Sequence, residues 1–159
     1  MKIFAFDFDG VLAIPYTNPE QLFPEIDTIL RTISQKGHLN IISSFNPRSY
    51  FIMKPYLDQG IITAIRAGSR IKWWESDGQG TYDDYKHRKD MHKGLHLHDM
   101  LSDELDELHI SEETQIYFFD DDLGNLADVR EDEKLNQKYD VTTVHIPTGL
   151  NMTHIEQLI

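Results

Sequence analysis

Two apolar, aromatic-rich runs in this chain stop abruptly at aspartates. Lys2-Ile-Phe-Ala-Phe leads into Asp7-Phe-Asp9-Gly10, and Ile116-Tyr-Phe-Phe leads into Asp120-Asp121-Asp122. Short apolar runs of this kind, closed by polar residues, are the pattern of buried strands. Strand alternation places Asp7 and Asp9 on one side with Phe8 pointing away. Gly10 then lets the backbone turn sharply.

The rest of the chain supplies elements to pack around these strands. Pro15, Asn18 and Pro19 mark a loop, and a helix is expected over 20–36, with Ile26, Ile29, Leu30 and Ile33 at helical spacing and Gly37 as its stop. Leu39-Asn-Ile-Ile-Ser reads as a second strand, followed by a helix around 48–57 opened by Pro47. A third strand is expected over 61–67. The segments Lys72-Trp-Trp-Glu and Thr81-Tyr-Asp-Asp-Tyr flank Ser-Asp-Gly-Gln-Gly and read as a hairpin or ordered loop. From 93 to 109 an amphipathic helix repeats Leu97, Met100, Leu101, Leu105 and Leu108 on one face. The stretch 124–138 is partly helical, and 141–146 is a fifth strand.

Strands alternating with helices predict an α/β chain with right-handed crossovers, a three-layer, doubly wound, Rossmann-like and mostly parallel sheet. Ligands bind such sheets at the carboxyl ends of the strands. The aspartates of the first and fourth strands fall at that edge, as do Ser43 and Ser44 of the second. Buried charge is costly unless paired or bound to a metal. The acidic strand ends therefore call for a cation, and hard oxygen ligands suit Mg²⁺, which accepts substrate phosphate oxygens.

With 159 residues and no linker or internal repeat, the chain reads as one domain spanning 1–159. It has no cysteine, which excludes disulfides and thiolate chemistry. Acidic residues interrupt any signal-peptide core near the amino terminus, and no apolar run is long enough to span a bilayer, so a cytoplasmic protein with no membrane partner is expected. The net charge of −12 repels nucleic acid, which is an unlikely partner. One stretch departs from that balance, with Arg48, Lys54, Arg66, Arg70 and Lys72 against the lone acid Asp58. It is either scattered surface charge or a basic rim that attracts an anionic substrate.

Phe-Asp7-Phe-Asp9-Gly10-Val11-Leu12 resembles the first motif of the haloacid dehalogenase superfamily of phosphohydrolases. Ser44, followed by Phe-Asn-Pro-Arg, resembles the second motif, and Lys93 the third. Phe-Phe-Asp120-Asp121-Asp122-Leu-Gly-Asn125 resembles the fourth, in its double-aspartate form. The resemblance spans about residues 3–150 and is closest to the small capless magnesium-dependent phosphatases. It implies Asp7 as nucleophile, Asp9 as general acid and base, and Ser44 and Lys93 as ligands of the phosphoryl oxygens. It also implies Mg²⁺ held by Asp7, the main-chain carbonyl of Asp9, Asp120 and Asp121. The expected partner is a phosphorylated substrate, a small molecule or a phosphoprotein. An acid at Asp9 marks phosphatases rather than dehalogenases in this family.

Several assignments stay open at this level. Ser43 competes with Ser44, and Lys72, Lys86 and Lys89 compete with Lys93. The Asp120–Asp122 run admits two registers, of which Asn125 favours Asp120 and Asp121. The first gap, 13–23, is too short for more than a flap, and 46–92 is too short for a full cap domain. His92, His96 and His98 read as an accidental surface cluster rather than a zinc site. Trp73-Trp74 reads as core or hairpin packing. A nucleotide or polynucleotide-end phosphatase is the rival within enzymes. A catalytically idle binding module, using Trp73-Trp74 and the acids near 103–107, is the rival of another class. Neither substrate nor oligomeric state is readable.

Overall fold

The structure, a computed structural model, describes residues 1–68, 92–108 and 110–159. Five strands form one sheet: β1 (Lys2–Phe6), β2 (Leu39–Ser44), β3 (Ala64–Ala67), β4 (Gln115–Asp120) and β5 (Asp140–His145). Their order is β3-β2-β1-β4-β5, and every pairing among the described residues is parallel. β1 is central, with Phe6 opposite Ile42 on one side and Phe119 on the other. That register brings the carboxyl ends of β2, β1 and β4 together at one edge.

Alternation along the strands builds a core on each face. Phe4, Phe6, Ile42 and Phe119 point toward α1 (Ile26–Gln35) and Met53 of α2 (Arg48–Asp58). Ile3, Ala5, Ile41, Ile116 and Phe118 point toward α3 (Lys93–Asp103), α4 (Leu123–Glu131) and α5 (Glu133–Lys138). The three layers follow directly. Asn40 is the polar exception in β2. It is fully buried, and its amide donates to the carbonyls of Leu30 (2.9 Å) and Ile61 (3.0 Å), tying α1 to the β2 layer.

The first helix starts at Ile26, six residues later than the sequence suggests. Its apolar stripe is as expected, but residues 14–25 fold back across the β1 exit, where Ile14 N–H donates to Gln21 O and Phe23 N–H to Leu12 O. Those main-chain bonds hold the segment as a flap. The stretch 124–138 is two helices, parted at Asp132, whose side chain caps α5 through Leu135 N–H. α3 ends at Asp103, and a 3-10 turn (Asp106–Leu108) follows; Leu105 stays in the core, while Leu108 is exposed. The expected hairpin, Trp73-Trp74, and Lys72, Lys86 and Lys89 lie outside the described residues. Among the described residues, no helix is long and apolar enough to cross a membrane.

Candidate active site

A cavity of about 200 Å³ opens at the carboxyl edge of the sheet, lined by Asp7, Asp9, Ser44, Asn46, Asp121 and Asn125, among others. Three separate chain segments meet there because β2, β1 and β4 are adjacent and parallel.

Asp7 continues the β1 ladder through its N–H to Phe119 O (2.9 Å) and is 8% exposed. Phe8, turned into the core, anchors the next turn: its carbonyl accepts from the N–H groups of Leu12 and Ala13, each at 2.9 Å. Gly10 makes that turn at φ +78°, and a Cβ there would lie 2.3 Å from Asp121 Oδ2. Only glycine satisfies both the left-handed backbone and the contact. Gly10→Ala is therefore expected to displace Asp121. Thermal melts should show a loss of roughly 1–3 kcal/mol, and Mg²⁺ titration should show weakened binding.

On β2 the two serines diverge. Ser44 Oγ accepts from Asn46 N–H (3.0 Å) and faces the cavity, while Ser43 Oγ meets His96 Nδ1 at 2.6 Å in the interior. Asn46 then donates from Nδ2 to Asp9 Oδ2 at 3.1 Å, and its Oδ1 accepts from Arg48 N–H (3.0 Å). Asp9 stands at the mouth with an exposed edge. Lost hydration nonetheless holds its carboxyl above the usual range; Asn46 pulls it down, and Asp7 pushes it up.

Lys93 is fully buried, and its Nζ lies 3.3 Å from Asp7 Oδ1 and 2.9 Å from Ser43 O. The Phe45 ring sits 4.3 Å from the ammonium, in cation–π range. The neighbouring Gly94 lets α3 approach α4, since a Cβ there would lie 2.7 Å from Asp128 O. The lysine is thereby carried deep enough to reach the strand ends.

β4 closes the site. Asp120 is fully buried, with Oδ1 accepting from Asp122 N–H (2.9 Å) and Oδ2 from Asn125 Nδ2 (3.1 Å). Asp122 caps α4 through Asn125 N–H. That separates the registers: one oxygen each of Asp7, Asp120 and Asp121 lie within 4.8 Å of one another, whereas Asp122 serves the helix. Burial, then the charge of Asp7, pushes Asp120 up to about 8 and raises Asp121 as well. Three carboxylates against one buried ammonium are short of positive charge. At an effective dielectric near 20, each like-charge pair at this spacing costs about 3 kcal/mol. An all-oxygen cluster with that deficit fits Mg²⁺.

The basic stretch is less basic than it reads. Arg48 pairs with Glu20 of the flap (2.5 Å), Lys54 with Asp58 (2.8 Å), and Arg66 with Glu104 (2.8 Å) and Asp103 (3.3 Å). Arg70 and Lys72 lie outside the described residues. The histidines are not a surface cluster. His96 is buried behind the site, while His92 pairs with Asp128 and His98 packs edge-on against Tyr139, so the three do not converge. Sequence reasoning missed Asn46 and His96. The only signals were an asparagine just before a proline, which favours local side-chain to main-chain bonds, and a histidine three residues after Lys93 on one helix face.

No protein-family model and no curated protein matches the chain. Solved structures do resemble it over most of its length. A haloacid dehalogenase-like family hydrolase from Streptococcus pneumoniae is 13% identical with a TM-score of 0.53, covering 90% of this chain and 93% of that one. The D,D-heptose 1.7-bisphosphate phosphatase of B. bronchiseptica, complexed with magnesium and phosphate, is 10% identical with a TM-score of 0.55, covering 93% and 95%. The 3-deoxy-D-manno-octulosonate 8-phosphate phosphatase of Moraxella catarrhalis, in complex with magnesium, phosphate and its sugar, is 20% identical with a TM-score of 0.52, covering 91% and 76%. The fold of this chain is the haloacid dehalogenase-like fold.

Proposed function

We propose that this protein is a Mg²⁺-dependent phosphatase that hydrolyses phosphomonoesters through an aspartyl-phosphate on Asp7, within a single domain. The observation that carries the reading is the position of Asp7. Its carboxylate is held by Lys93 at the wall of an open cavity that Asp9 also lines, and it belongs to the acid cluster with Asp120 and Asp121.

A carboxylate oxygen of Asp7 attacks phosphorus, and the bond from phosphorus to the ester oxygen breaks. Asp9 gives its proton to that leaving oxygen, a role suited to a carboxyl held above its ordinary range and aimed by Asn46. Asp9 then takes a proton from a water that attacks the phosphorus, releasing inorganic phosphate and restoring Asp7. Lys93 and the Ser44 hydroxyl hold the phosphoryl oxygens. Asp7, Asp120, Asp121 and the main-chain carbonyl of Asp9 would hold Mg²⁺. When bound, the ion offsets repulsion between carboxylates and phosphate and stabilises charge in the transition state.

The nucleotide or polynucleotide-end reading would draw on the basic stretch, in which Arg48, Lys54 and Arg66 already have acidic partners. A binding module would not need Asp9 raised and oriented at the mouth. The deciding experiment is hydrolysis of an aryl phosphate with Mg²⁺ and with chelator. Turnover that needs the metal supports the reading; turnover unaffected by chelator sinks it. Asp9→Asn should lower kcat by about 10²–10⁴-fold and change binding of inorganic phosphate far less. Equal loss in both would remove Asp9 from the proton transfer.

A further inference from the structure

His96 is a buried titratable group that the mechanism above does not use. It is 1% exposed and lies three residues after Lys93, on the same face of α3. Its Nε2 lies 2.8 Å from Gly68 O, and its Nδ1 lies 2.6 Å from Ser43 Oγ. A carbonyl can only accept, so Nε2 carries the hydrogen. Burial, with the charge of Lys93, pulls the imidazole down to about 3, so it is neutral and Nδ1 accepts from the Ser43 hydroxyl. The ring also meets Phe45 edge-on, with centroids 5.1 Å apart.

Every partner of this imidazole adjoins the phosphate site. Ser43 O is the main-chain acceptor for Lys93 Nζ (2.9 Å). Phe45 supplies the ring beneath the same ammonium (4.3 Å). Gly68 N–H donates to Ser44 O (2.8 Å), locking the residue whose hydroxyl faces the cavity. α3, β2 and the β3 exit thus meet on one side chain.

We propose that His96 is a positioning residue for the phosphate site, its bridge from Ser43 to Gly68 keeping the Lys93 ammonium and the Ser44 hydroxyl in register with Asp7. The proposal rests on the phosphatase reading for its kinetic consequence, but not for its geometric one. A lost bridge leaves Lys93 on α3 and the strand ends on the sheet, free to shift against each other. The ligands of the phosphoryl oxygens are displaced, while the Asp7 main chain stays bonded to Phe119 O and Asp9 keeps its bond from Asn46.

The test uses three variants of the full chain. His96→Phe keeps the ring against Phe45 and removes both hydrogen bonds. His96→Asn places an amide oxygen near the position of Nδ1 and can keep the Ser43 bond. Ser43→Ala removes that bond from the other side. In an aryl phosphate assay at saturating Mg²⁺, His96→Phe and Ser43→Ala should each raise KM and the inhibition constant of inorganic phosphate about tenfold, the scale of one hydrogen bond supporting a charged group. Their kcat should change less than about threefold. His96→Asn, which keeps the Ser43 bond and loses the Gly68 one, should raise KM and the phosphate constant by less than His96→Phe does, and the Phe and Ala changes combined should cost no more than either alone. A purely structural histidine would lower Tm in every variant and leave KM and the phosphate constant untouched, and that result overturns the proposal. A second readout is independent of turnover: the slowly exchanging ¹⁵Nζ ammonium signal of Lys93 should be present in the parent and in His96→Asn, and lost in His96→Phe. If the parent hydrolyses nothing and binds no phosphate, the phosphatase reading fails. His96 is then judged on that signal alone, and its persistence in His96→Phe overturns the proposal.

Discussion

Asp7→Asn is expected to abolish hydrolysis of any phosphomonoester, by on the order of 10⁴-fold or more, the scale seen when a nucleophile is removed from a covalent mechanism. The amide is close in shape to the carboxylate, so the turn through Phe8 and Gly10 is kept. The change also removes one negative charge from a cluster that has too many. Lys93 keeps its bond to Ser43 O and still has Asp120 nearby, whose carboxyl ionises more readily once the charge of Asp7 is gone, so the buried ammonium is not left without a counter-charge. The variant should therefore fold at least as stably as the parent in chelator. It should also bind inorganic phosphate no more weakly, since Asp7 opposes a phosphate dianion in the ground state. Intact binding with lost turnover is the signature to look for. Residual turnover within tenfold of the parent would remove Asp7 from the chemistry.

Asp120→Asn should have the second large effect, and in opposite senses on activity and stability. In the fold Asp120 is raised to about 8 from an ordinary value of 3.8. The folded chain then holds a proton that the unfolded chain releases, so stability falls as pH rises from about 4 to about 8. His96 works the other way. It is lowered to about 3 from 6.5, so its contribution is complete above 6.5 and fades as pH drops toward 3. The two oppose each other below 6.5; above it, up to about 8, the contribution of the histidine is complete, and the raised carboxyls of the site, Asp120 foremost, set the slope. In chelator, the melting temperature should fall over that upper window by roughly 5 °C, the equivalent of up to one proton released across it. Mg²⁺ should restore it, more at pH 8 than at 6.5, because cation and proton compete for the same oxygens. Asp120→Asn should flatten the slope, raise the metal-free melting temperature and cut the Mg²⁺ response, with turnover down by 10²-fold or more on the scale of lost electrostatic stabilisation. A melting temperature independent of pH and Mg²⁺ in the parent would refute the cation site.

The parts of this molecule that announce themselves in one dimension do so through strong local contrast. Phe4-Ala-Phe6 against Asp7, or Phe118-Phe119 against Asp120, is a change from wholly buried apolar to acidic within one residue, and the order of strands and helices followed from such edges. The same contrast marks where the cavity lies. What stayed hidden depends on direction and distance. Ser43 and Ser44 are chemically identical neighbours, and only the pleat of β2 sends one to His96 and the other to the cavity. His96 reads as a surface residue because an exposed His92 and a half-buried His98 flank it; its burial comes from β2 and the β3 exit, which a helical pattern does not display. The late start of α1 was masked by an apolar stripe that is real from Ile26, while the flap before it is held by main-chain bonds that side-chain pattern does not encode. The basic stretch admits two readings in the sequence for the same reason, since the counter-charges of Arg48 and Arg66 come from Glu20, Asp103 and Glu104, far away in sequence.

The parallel sheet has a further consequence for how the molecule comes into being. Ile3 of β1 lies opposite Leu39 of β2, but its other neighbour in the sheet, Ile116, is made only after most of the chain. During synthesis the amino-terminal strands can pair early, whereas the acidic edge of the pocket arrives with β4. Such long-range pairing is slow to form and is reached late in folding. A nascent or partly folded chain therefore carries Asp7, the proposed nucleophile, without Asp120 and Asp121, which the proposed cation site needs. On the proposed mechanism, the appearance of activity during refolding is expected to follow closure of the β1–β4 seam and not the collapse that precedes it.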